Sequence, residues 1–424
     1  MHVGREASES GADPEFRSDR AHPVGQVLSS VASGRDMIVR QFLQWVRTAP
    51  AGERAEATSA LARAYLYSDL PDEERGAIEG VMVMLADDVS PLVRGALAGV
   101  LAPSEEAPAT VLHMLANDRP DIAAVVLARS PLFIDAELVD LVATGGGTVQ
   151  TAIAGRTPLP RAVAAAIAEV ACAEACLVLI ENPDAEIAPL SFARLVERFG
   201  HLGAVREALF ARRDLPVESR QSLIARLSAT LATFVHGRAW MDDDHARNIA
   251  REACEKATIA LAASAGEGEG ASLVRHLRQS GQLTAGLILR ALLSGNIALF
   301  EEALAELADL PLRRVRLLVH DKTGVGFRAV FSRAGLPSST FAAFRHALEA
   351  WREGPDLDGA NRLRRRMVER VLTACGQSDI GEVEPLLALL RRFAAEAARE
   401  EALMVCEKIE QEAVAELMRI RLAA

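Results

Sequence analysis

A short helix-turn-helix pattern occurs twice in succession, and this repetition constrains the fold more than any other feature of the chain. The segment PLVRGAL at 91–97 matches PDIAAVV at 120–126, a shift of 29 residues (120 minus 91). In each copy a turn of Asp, Asn or Pro precedes a helix whose first apolar residue recurs four positions later, on the same helix face. A fainter copy is GTVQTAI at 147–153, and a poorer one is NPDAEI at 182–187.

Helices of this length do not bury an apolar stripe alone, so successive helix pairs are expected to stack on one another. The repeats therefore predict an all-α fold, an α-solenoid of HEAT-like antiparallel helix pairs followed by a C-terminal helical region. Pro91 and Pro120 fit the first turn of a helix. The polar turn residues are expected to cap the helices that follow them, and they are Asp88 or Ser90, Asp118 and Asp184.

Composition supports helices and argues against two classes of partner. Ala and Leu dominate the 424 residues, aromatic residues make up 4%, and the formal net charge is -11. A negative field repels nucleic acid and anionic membranes, so a polyanion site would have to be a local patch. The five cysteines, an odd number, favour a reduced, cytoplasmic protein.

The most apolar long segment, 162–180, has the hydropathy of a membrane span but contains Glu169 and Glu174. One acid at the bilayer centre costs about 2.5–3.5 kcal/mol. We therefore interpret the segment as two short buried helices and predict no membrane contact. Residues 1–25 lack the apolar stretch of a signal peptide, and their Gly, Ser, Pro and charge content predicts a disordered leader.

Beyond residue 200 the helices are expected to lengthen. The segment 216–237 places four apolar residues on one stripe, namely Leu223, Leu227, Leu231 and Phe234. A further helix from 243 to 263 begins with carboxylates. We predict four parts: a leader at 1–25, a HEAT-like repeat domain at 26–235, a helical domain at 236–355, and basic and amphipathic helices at 356–424.

The C-terminal segment predicts an amphipathic helix. Its apolar positions recur at helical spacing, and they are Ala402, Val405, Ile409, Ala413, Leu417 and Ile420. Such a helix either caps the stack or pairs with a second subunit, and capping is the simpler interpretation. A homodimer through this helix is left open.

Three strings resemble a bacterial family known as domain of unknown function 2336. They are LANDRPDIAAVVLARSPLFIDAELVDLVATGGGTVQTAIAGR (115–156), LLSGNIALFEEALAELADLPLRRVRLLVHD (292–321) and FRAVFSRAGLPSSTFAAFRHAL (327–348). The resemblance covers about residues 80 to 350, and the turns resemble those of HEAT-type repeats. It implies a bacterial helical protein and brings no established activity, cofactor or catalytic residue.

Two groups of residues are weighed as metal sites. His320-Asp321 resembles the dipeptide of metal-dependent phosphohydrolases, but such sites need four to six ligands and the chain has no second His-Asp pair. A helix terminus with a charge-paired histidine is the favoured interpretation. His236 with the acidic run 242–244 and His245 also combines imidazole with carboxylate, although acids fit a helix start equally well.

Cys172 and Cys176, four residues apart, are interpreted as small buried hydrophobic residues. Gly324 and Gly326 lie in a turn and lack the strand that a phosphate-binding loop requires. No catalytic residue, cofactor or metal ligand is predicted, and an enzyme is the less favoured class.

Two arginine clusters are candidates for binding an anion or a partner, because guanidinium groups match phosphate and carboxylate geometry. The first is Arg362, Arg365 and Arg366, which we expect on one helix face, and the second is Arg313, Arg314 and Arg316. The alternative is a solvated face paired with Glu349, Glu353 or Glu369.

The favoured function is a non-enzymatic interaction scaffold or regulatory adaptor that binds a protein partner on the concave surface of the helical stack. The first alternative is a HEAT-like protein that binds nucleic acid through its arginine-rich faces, which the negative net charge disfavours. A weaker alternative is a metal-dependent hydrolase at His320-Asp321.

Overall fold

The computed structural model describes residues 42–238, 240–266, 268–321, 323–354, 362–376 and 384–423, with side chains as far as residue 414. Within these ranges the chain is helical and contains no β-strand, only an isolated parallel bridge between Leu159 and Ala185. The prediction of an all-α fold is confirmed. The chain divides into two compact units, Met1–Glu186 and Ile187–Ala424. The four-part division drawn from the sequence stays a prediction.

The first unit consists of short helices. They are α1 (Ala51–Tyr67), α2 (Asp72–Ala86), α3 (Pro91–Leu101), α4 (Ala109–Ala116), α5 (Pro120–Arg129), α6 (Asp135–Thr144), α7 (Gly147–Ala154), α8 (Arg161–Val170) and α9 (Ala173–Glu181). Both α3 and α5 begin with proline in the first turn, as predicted. The apolar i,i+4 pairs of the three clear repeats are buried, and they are Val93/Leu97, Ile122/Val126 and Val149/Ile153.

Alternate helices of the first unit pack on one another. The helices α1, α3, α5, α7 and α9 form one continuous row in which each contacts the next member of the row. On the other side α2 packs on α4, and α6 packs on α8. Each helix therefore buries its apolar stripe against a neighbouring pair, which is the packing that repeats too short to fold singly require.

The repeated aspartates do not cap the helices that follow them. The N-cap residues of α3 and α5 are Ser90 and Arg119, and neither forms a side-chain cap hydrogen bond. No helix begins directly after Asp184, because the next one starts at Pro189, so the fourth repeat copy is not formed. Ser90 therefore occupies the N-cap position predicted for it without forming the capping bond, whereas the assignments of Asp88, Asp118 and Asp184 as caps are wrong.

Asp88 and Asp118 instead tie one turn to the helix of the repeat before it. Arg54 donates to both carboxylate oxygens of Asp88, at 3.0 and 2.7 Å. Arg94 does the same to Asp118, at 2.5 and 3.0 Å, and also donates to the Asp88 carbonyl. Each bidentate pair is largely shielded from solvent, which makes it stronger than an exposed ion pair.

The segment 162–180 forms the two short helices predicted for it, α8 and α9. Their inward faces are buried at Val163, Ile167, Cys176 and Leu179. Among the residues that the structure describes, no helix has both the length and the hydropathy needed to cross a membrane.

The described residues of the second unit form twelve α-helices, three of which have more than 20 residues. They are α10 (Pro189–Phe199), α11 (Gly203–Ala211), α12 (Val217–Gly237), α13 (Asp243–Ser264), α14 (Glu269–Gln279), α15 (Ala285–Leu293), α16 (Ile297–Ala308), α17 (Leu312–His320), α18 (Val325–Arg333), α19 (Phe341–Glu353), α20 (Arg365–Gly376) and α21 (Glu384–Ala423). A 3-10 turn at Ser338–Thr340 precedes α19. The helices predicted at 216–237 and 243–263 both occur, within a few residues of their expected ends.

The core of the second unit contains a cluster of phenylalanines, five of which are buried. Phe300 and Phe331 both contact Phe344, with ring centroids 6.0 and 5.3 Å apart, and Phe327 stacks on Phe341 at 5.5 Å. Apolar residues of α14, α15, α16, α20 and α21 complete this core. A 40-residue helix, α21, thus contributes its first turns to the core of the unit.

The predicted apolar stripe of α12 is only partly buried. Leu223 is inaccessible to solvent, whereas Leu231 and Phe234 are 53% and 49% exposed. The end of α12 and the start of α13 extend beyond the core as a hairpin, where Phe234 contacts Trp240 edge-on. Helical spacing alone does not reveal where along a long helix the core ends.

Candidate functional site

The arginine cluster around residue 365 does not lie on one helix face. Helix α20 begins at Arg365, so Arg362 precedes it. Arg365 donates to Glu369 at 2.8 Å and to Glu401 at 3.1 Å, which is the neutralised arrangement considered as the alternative. Arg362 and Arg366 are exposed and form no ion pair with another described residue.

The second cluster is divided by ion pairing, since all three of its arginines are exposed. Arg313 and Arg314 are exposed at the start of α17, without an ion-pair partner in the part of the chain that the structure describes. Arg316 donates to Glu301 at 2.9 Å. Two of the six arginines, Arg316 and Arg365, are therefore paired with acids, and binding of an anion or a partner by these clusters stays a prediction.

His320 ends α17 as a charge-paired residue. Its Nε2 lies 2.7 Å from Glu301, a buried carboxylate that also accepts the bond from Arg316. The neighbouring Asp321 accepts hydrogen bonds from the amide and hydroxyl of Thr323, which lower the pKa of its carboxyl. His320 therefore contacts Glu301, whereas Asp321 accepts hydrogen bonds from the turn that follows it.

The remaining polar candidates also have local roles. Asp242 caps α13 by accepting from the amide of His245 at 2.9 Å, and Arg247 pairs with both Asp243 and Asp244. Cys172 is the N-cap residue of α9, whereas Cys176 is buried within it, so the thiols occupy different surroundings. Among the described residues no three His, Cys, Asp or Glu side chains converge in a metal-binding arrangement.

One polar contact was not indicated by the sequence. Ser222 Oγ and the oxygen of the Gln221 amide both lie 3.1 Å from Nε2 of His276, while the Gln221 amide nitrogen donates to Gln282. With its nitrogen used, the Gln221 oxygen needs a donor, so we assign the proton to Nε2. That nitrogen cannot then act as a base toward Ser222. These side chains form a polar contact between α12 and α14.

The feature with the clearest functional geometry is the division of α21 into two halves. The docked half, residues 384–401, buries one face against the unit, and that face consists of Leu386, Leu387, Leu390, Phe393 and Ala397. Their spacing of three and four residues follows one side of a helix. Continued past Ala397, the same spacing reaches Glu400, Met404, Lys408 and Gln411. The docked face therefore becomes mostly polar where the helix leaves the unit.

Arg290, on α15, is the centre of the groove that holds the docked half. It is 1% exposed and donates to both oxygens of Glu396 at 2.7 Å, while its guanidinium lies 4.7 Å from the ring of Phe393. Glu255 of α13 approaches the same guanidinium at 3.2 Å without hydrogen-bond geometry. One buried cation is therefore shared by two carboxylates, only one of which belongs to α21.

Burial and charge act differently on these groups. Burial raises the pKa of the Glu255 carboxyl, and the nearby Arg290 only partly opposes this. Burial alone would lower the pKa of Arg290, but its hydrogen bonds to Glu396 and the charges of both carboxylates raise it. The arginine is therefore always charged, and Glu255 is the carboxyl that burial makes easier to protonate.

Two further ion pairs connect the docked half to α13. Glu252 accepts from Nε of Arg392 at 2.8 Å, and Lys256 pairs with Glu400. Together with Arg290 and Arg365, they place a charged contact on α21 at positions 392, 396, 400 and 401. No motif in the sequence indicated this groove. Its one signal was an arginine inside the apolar run LILRALL at 287–293.

The free half, residues 402–423, continues the helix beyond these contacts. Its described apolar residues are about half exposed, and they are Leu403 (57%), Met404 (49%), Val405 (54%), Ile409 (59%) and Val414 (51%). At 1.5 Å per residue this half is about 33 Å long. Val405 and Ile409 belong to the stripe predicted from the sequence. Leu417 and Ile420 of that stripe lie beyond the described side chains.

Comparison with known proteins gives one match. Residues 122–381, more than half of the chain, match a family described as an uncharacterised protein conserved in bacteria, DUF2336. No curated protein and no solved structure matches the chain. The matched region begins within α5 and ends before α21, so the docked and free halves of that helix both lie outside it. The chain belongs to the bacterial family known as domain of unknown function 2336.

Proposed function

We propose that this protein is a non-enzymatic interaction scaffold or regulatory adaptor. The observation that carries the proposal is the exposed apolar surface of the free half of α21, where Val405 and Ile409 are 54% and 59% exposed. Most of the stability of a helix in a protein comes from packing of its apolar face, and the free half of α21 packs on nothing in the described part of the chain. An exposed apolar stripe on such a helix is typical of a helix-packing interface.

The partner that we propose for this stripe is a second copy of the chain. In a homodimer each copy supplies an apolar stripe that covers the stripe of the other. Two-fold dimers are the commonest form of soluble homo-oligomer. Val405 and Ile409 lie past the docked half, whose last ion pair is at Glu401. A second helix can therefore lie along the stripe while the docked half keeps its contacts.

A second contact surface is proposed on the stacked helices of the first unit. Rows of short helices produce an extended surface without needing any catalytic residue, and a concave face on such a stack is the usual binding site. A protein partner encoded elsewhere would bind there. The buried Cys375, which forms no disulfide, supports the proposal of a reduced, cytoplasmic location.

The alternatives receive less support. A nucleic-acid interface would need aligned, unpaired cations, whereas Arg365 and Arg316 are paired with acids. A hydrolase at His320 would need further ligands, and its nearest carboxylate is already shared with Arg316. No specific observation favours either function.

The test is the mass of the full chain in solution. We expect a dimer at tens of micromolar by light scattering, and a monomer with unchanged far-ultraviolet circular dichroism for the double variant Val405→Asp, Ile409→Asp. The matched control is Leu317→Asp, which places a charge at another exposed apolar position (75%) and is expected to leave the dimer intact. A monomeric wild-type chain would refute the homodimer. Salt-dependent binding to a DNA duplex would favour the nucleic-acid alternative.

A further inference from the structure

The groove that holds the docked half of α21 is formed by the family region, whereas its occupant is not. Its walls are α13, α15 and α20, which lie within the matched residues 122–381, and α21 begins three residues later (384 minus 381). The groove and the helix that fills it are therefore separable parts of the chain. What the groove recognises can be deduced from the contacts of this helix.

The groove selects a helix by three features along one face. An apolar surface receives Leu390 and Phe393, Arg290 binds a carboxylate one turn later, and Lys256 pairs with an acid a further turn along. The spacing is Leu-x-x-Phe-x-x-Glu from residue 390 to 396. The bidentate bond fixes the position of the glutamate, and the cation contact with the aromatic ring fixes the residue three before it.

The second carboxylate at Arg290 makes the occupant removable. Breaking a buried ion pair by removing one partner is costly, because the remaining charge is left uncompensated. Here Glu255 lies 3.2 Å from the same guanidinium and remains when α21 leaves. Arg290 then keeps a counter-ion of its own. A groove built only to hold α21 permanently would not need this additional buried acid.

We infer that this groove is a helix-binding site for a partner protein, and that α21 is a ligand supplied by the chain itself. The partner presents an amphipathic helix with leucine, an aromatic residue and glutamate at positions i, i+3 and i+6, and it displaces the docked half. This inference concerns the groove and does not depend on the free half of α21 or on the homodimer.

The attached helix competes with a free helix for the groove, and its tether gives it a higher effective concentration. A segment tethered beside its site acts at an effective concentration of about 1 mM. A free helix of equal affinity at about 50 µM would therefore occupy about 5% of the sites. Binding in trans becomes visible when the attached copy is weakened, and this determines the design of the experiment.

The probe is a fluorescent peptide of residues 384–401, titrated against the full chain. We expect weak binding to the wild-type chain and at least tenfold tighter binding to the full-length variant Phe393→Ala, Glu396→Ala, in which the attached helix is weakened. A peptide carrying the same two substitutions should not bind. The matched control chain Val405→Ala, Ile409→Ala should bind the peptide as weakly as the wild type. Equal, weak binding to all three chains, with helicity retained, would overturn the inference.

A second measurement applies even if that variant fails to fold. In the wild-type chain, amide hydrogens of residues 384–401 should exchange through an opening that leaves the buried parts of α13 and α15 protected. Identical exchange rates for all three helices would mean that α21 leaves only on global unfolding, and the inference would fail.

The remaining outcome is exchange of α21 between copies. Mixed isotope-labelled and unlabelled chains, treated with a carbodiimide, should give Lys256–Glu400 links within one chain only. Links between labelled and unlabelled chains would show that a second copy fills the groove, which contradicts a partner protein as its occupant.

Discussion

At the scale of single residues, the chain is organised by arginines that bind acids or carbonyls of a neighbouring turn. Asp88 accepts a bidentate bond from Arg54, and Asp118 accepts one from Arg94. Arg156 donates to the carbonyls of Leu127 and Ser130 in the preceding repeat. These contacts join one repeat to the next, a task that the apolar i,i+4 pairs alone do not specify.

The substitution Asp88→Asn should destabilise the first unit. Burial alone would raise the pKa of Asp88, but hydrogen bonds from Arg54 and from the Ser90 amide hold it below its ordinary value. A carboxyl with a lowered folded pKa stabilises the fold above its unfolded pKa, and that contribution is lost as the pH falls through the folded pKa. We expect a loss of about 1.5–3 kcal/mol at pH 7, measured by urea denaturation.

The control for this measurement is the neighbouring residue. Asp87 is exposed, so Asp87→Asn should change the unfolding free energy by less than about 0.5 kcal/mol. Equal losses for the two variants would mean that the pair with Arg54 does not stabilise the repeat.

Replacing each of the two acids at Arg290 by glutamine should change the free energy of unfolding differently. Glu396→Gln weakens the bidentate bond and should lower the free energy of unfolding by about 1.5–3 kcal/mol.

Glu255→Gln should be neutral or stabilising at pH 7, because the pKa of Glu255 is raised by burial. Between its unfolded and folded pKa the native state binds more protons, so stability falls as the pH rises through that window. Urea denaturation from pH 4.5 to 8 should show a shallower decline for Glu255→Gln than for the wild type. An unchanged slope would contradict the assignment.

At the scale of helices, the sequence predicted periodicity better than burial. Short repeats such as 91–97 and 120–126 were assigned correctly because every helix in them buries the same kind of stripe. The long helices α12 and α21 each pass from a packed segment to an exposed one. Leu231 and Phe234 keep helical spacing in a region that the core does not reach. Where the core ends depends on other helices, and no local pattern contains that information.

The two halves of α21 should differ sharply in their effect on stability. Phe393 is 1% exposed and contacts Arg290, so Phe393→Ala should cost about 3–5 kcal/mol. Val405 is 54% exposed, and Val405→Ala should change the stability of a dilute, monomeric sample by less than about 0.5 kcal/mol. Thermal denaturation followed by circular dichroism compares them. A large loss for Val405→Ala at low concentration would mean that the free half packs within its own chain.

At the scale of the whole molecule, the fold class and family could be predicted from the sequence and the candidate site could not. The repeats and the resemblance both indicated helices, and the family match crosses the boundary between the two compact units. The groove around Arg290 joins residues from 252 to 401, so no short motif represents it. The arginine clusters attracted attention because they are contiguous, whereas the buried arginine is a single residue among leucines.

The most direct test of the proposed interaction surface is hydrogen exchange of the full chain at several protein concentrations. Amides of residues 402–414 should gain protection as the concentration rises from about 1 to 100 µM, because the apolar stripe becomes covered when copies associate. Amides of residues 384–401 should be protected equally at all concentrations. Protection of 402–414 that is independent of concentration, with a monomeric chain throughout, would contradict the account.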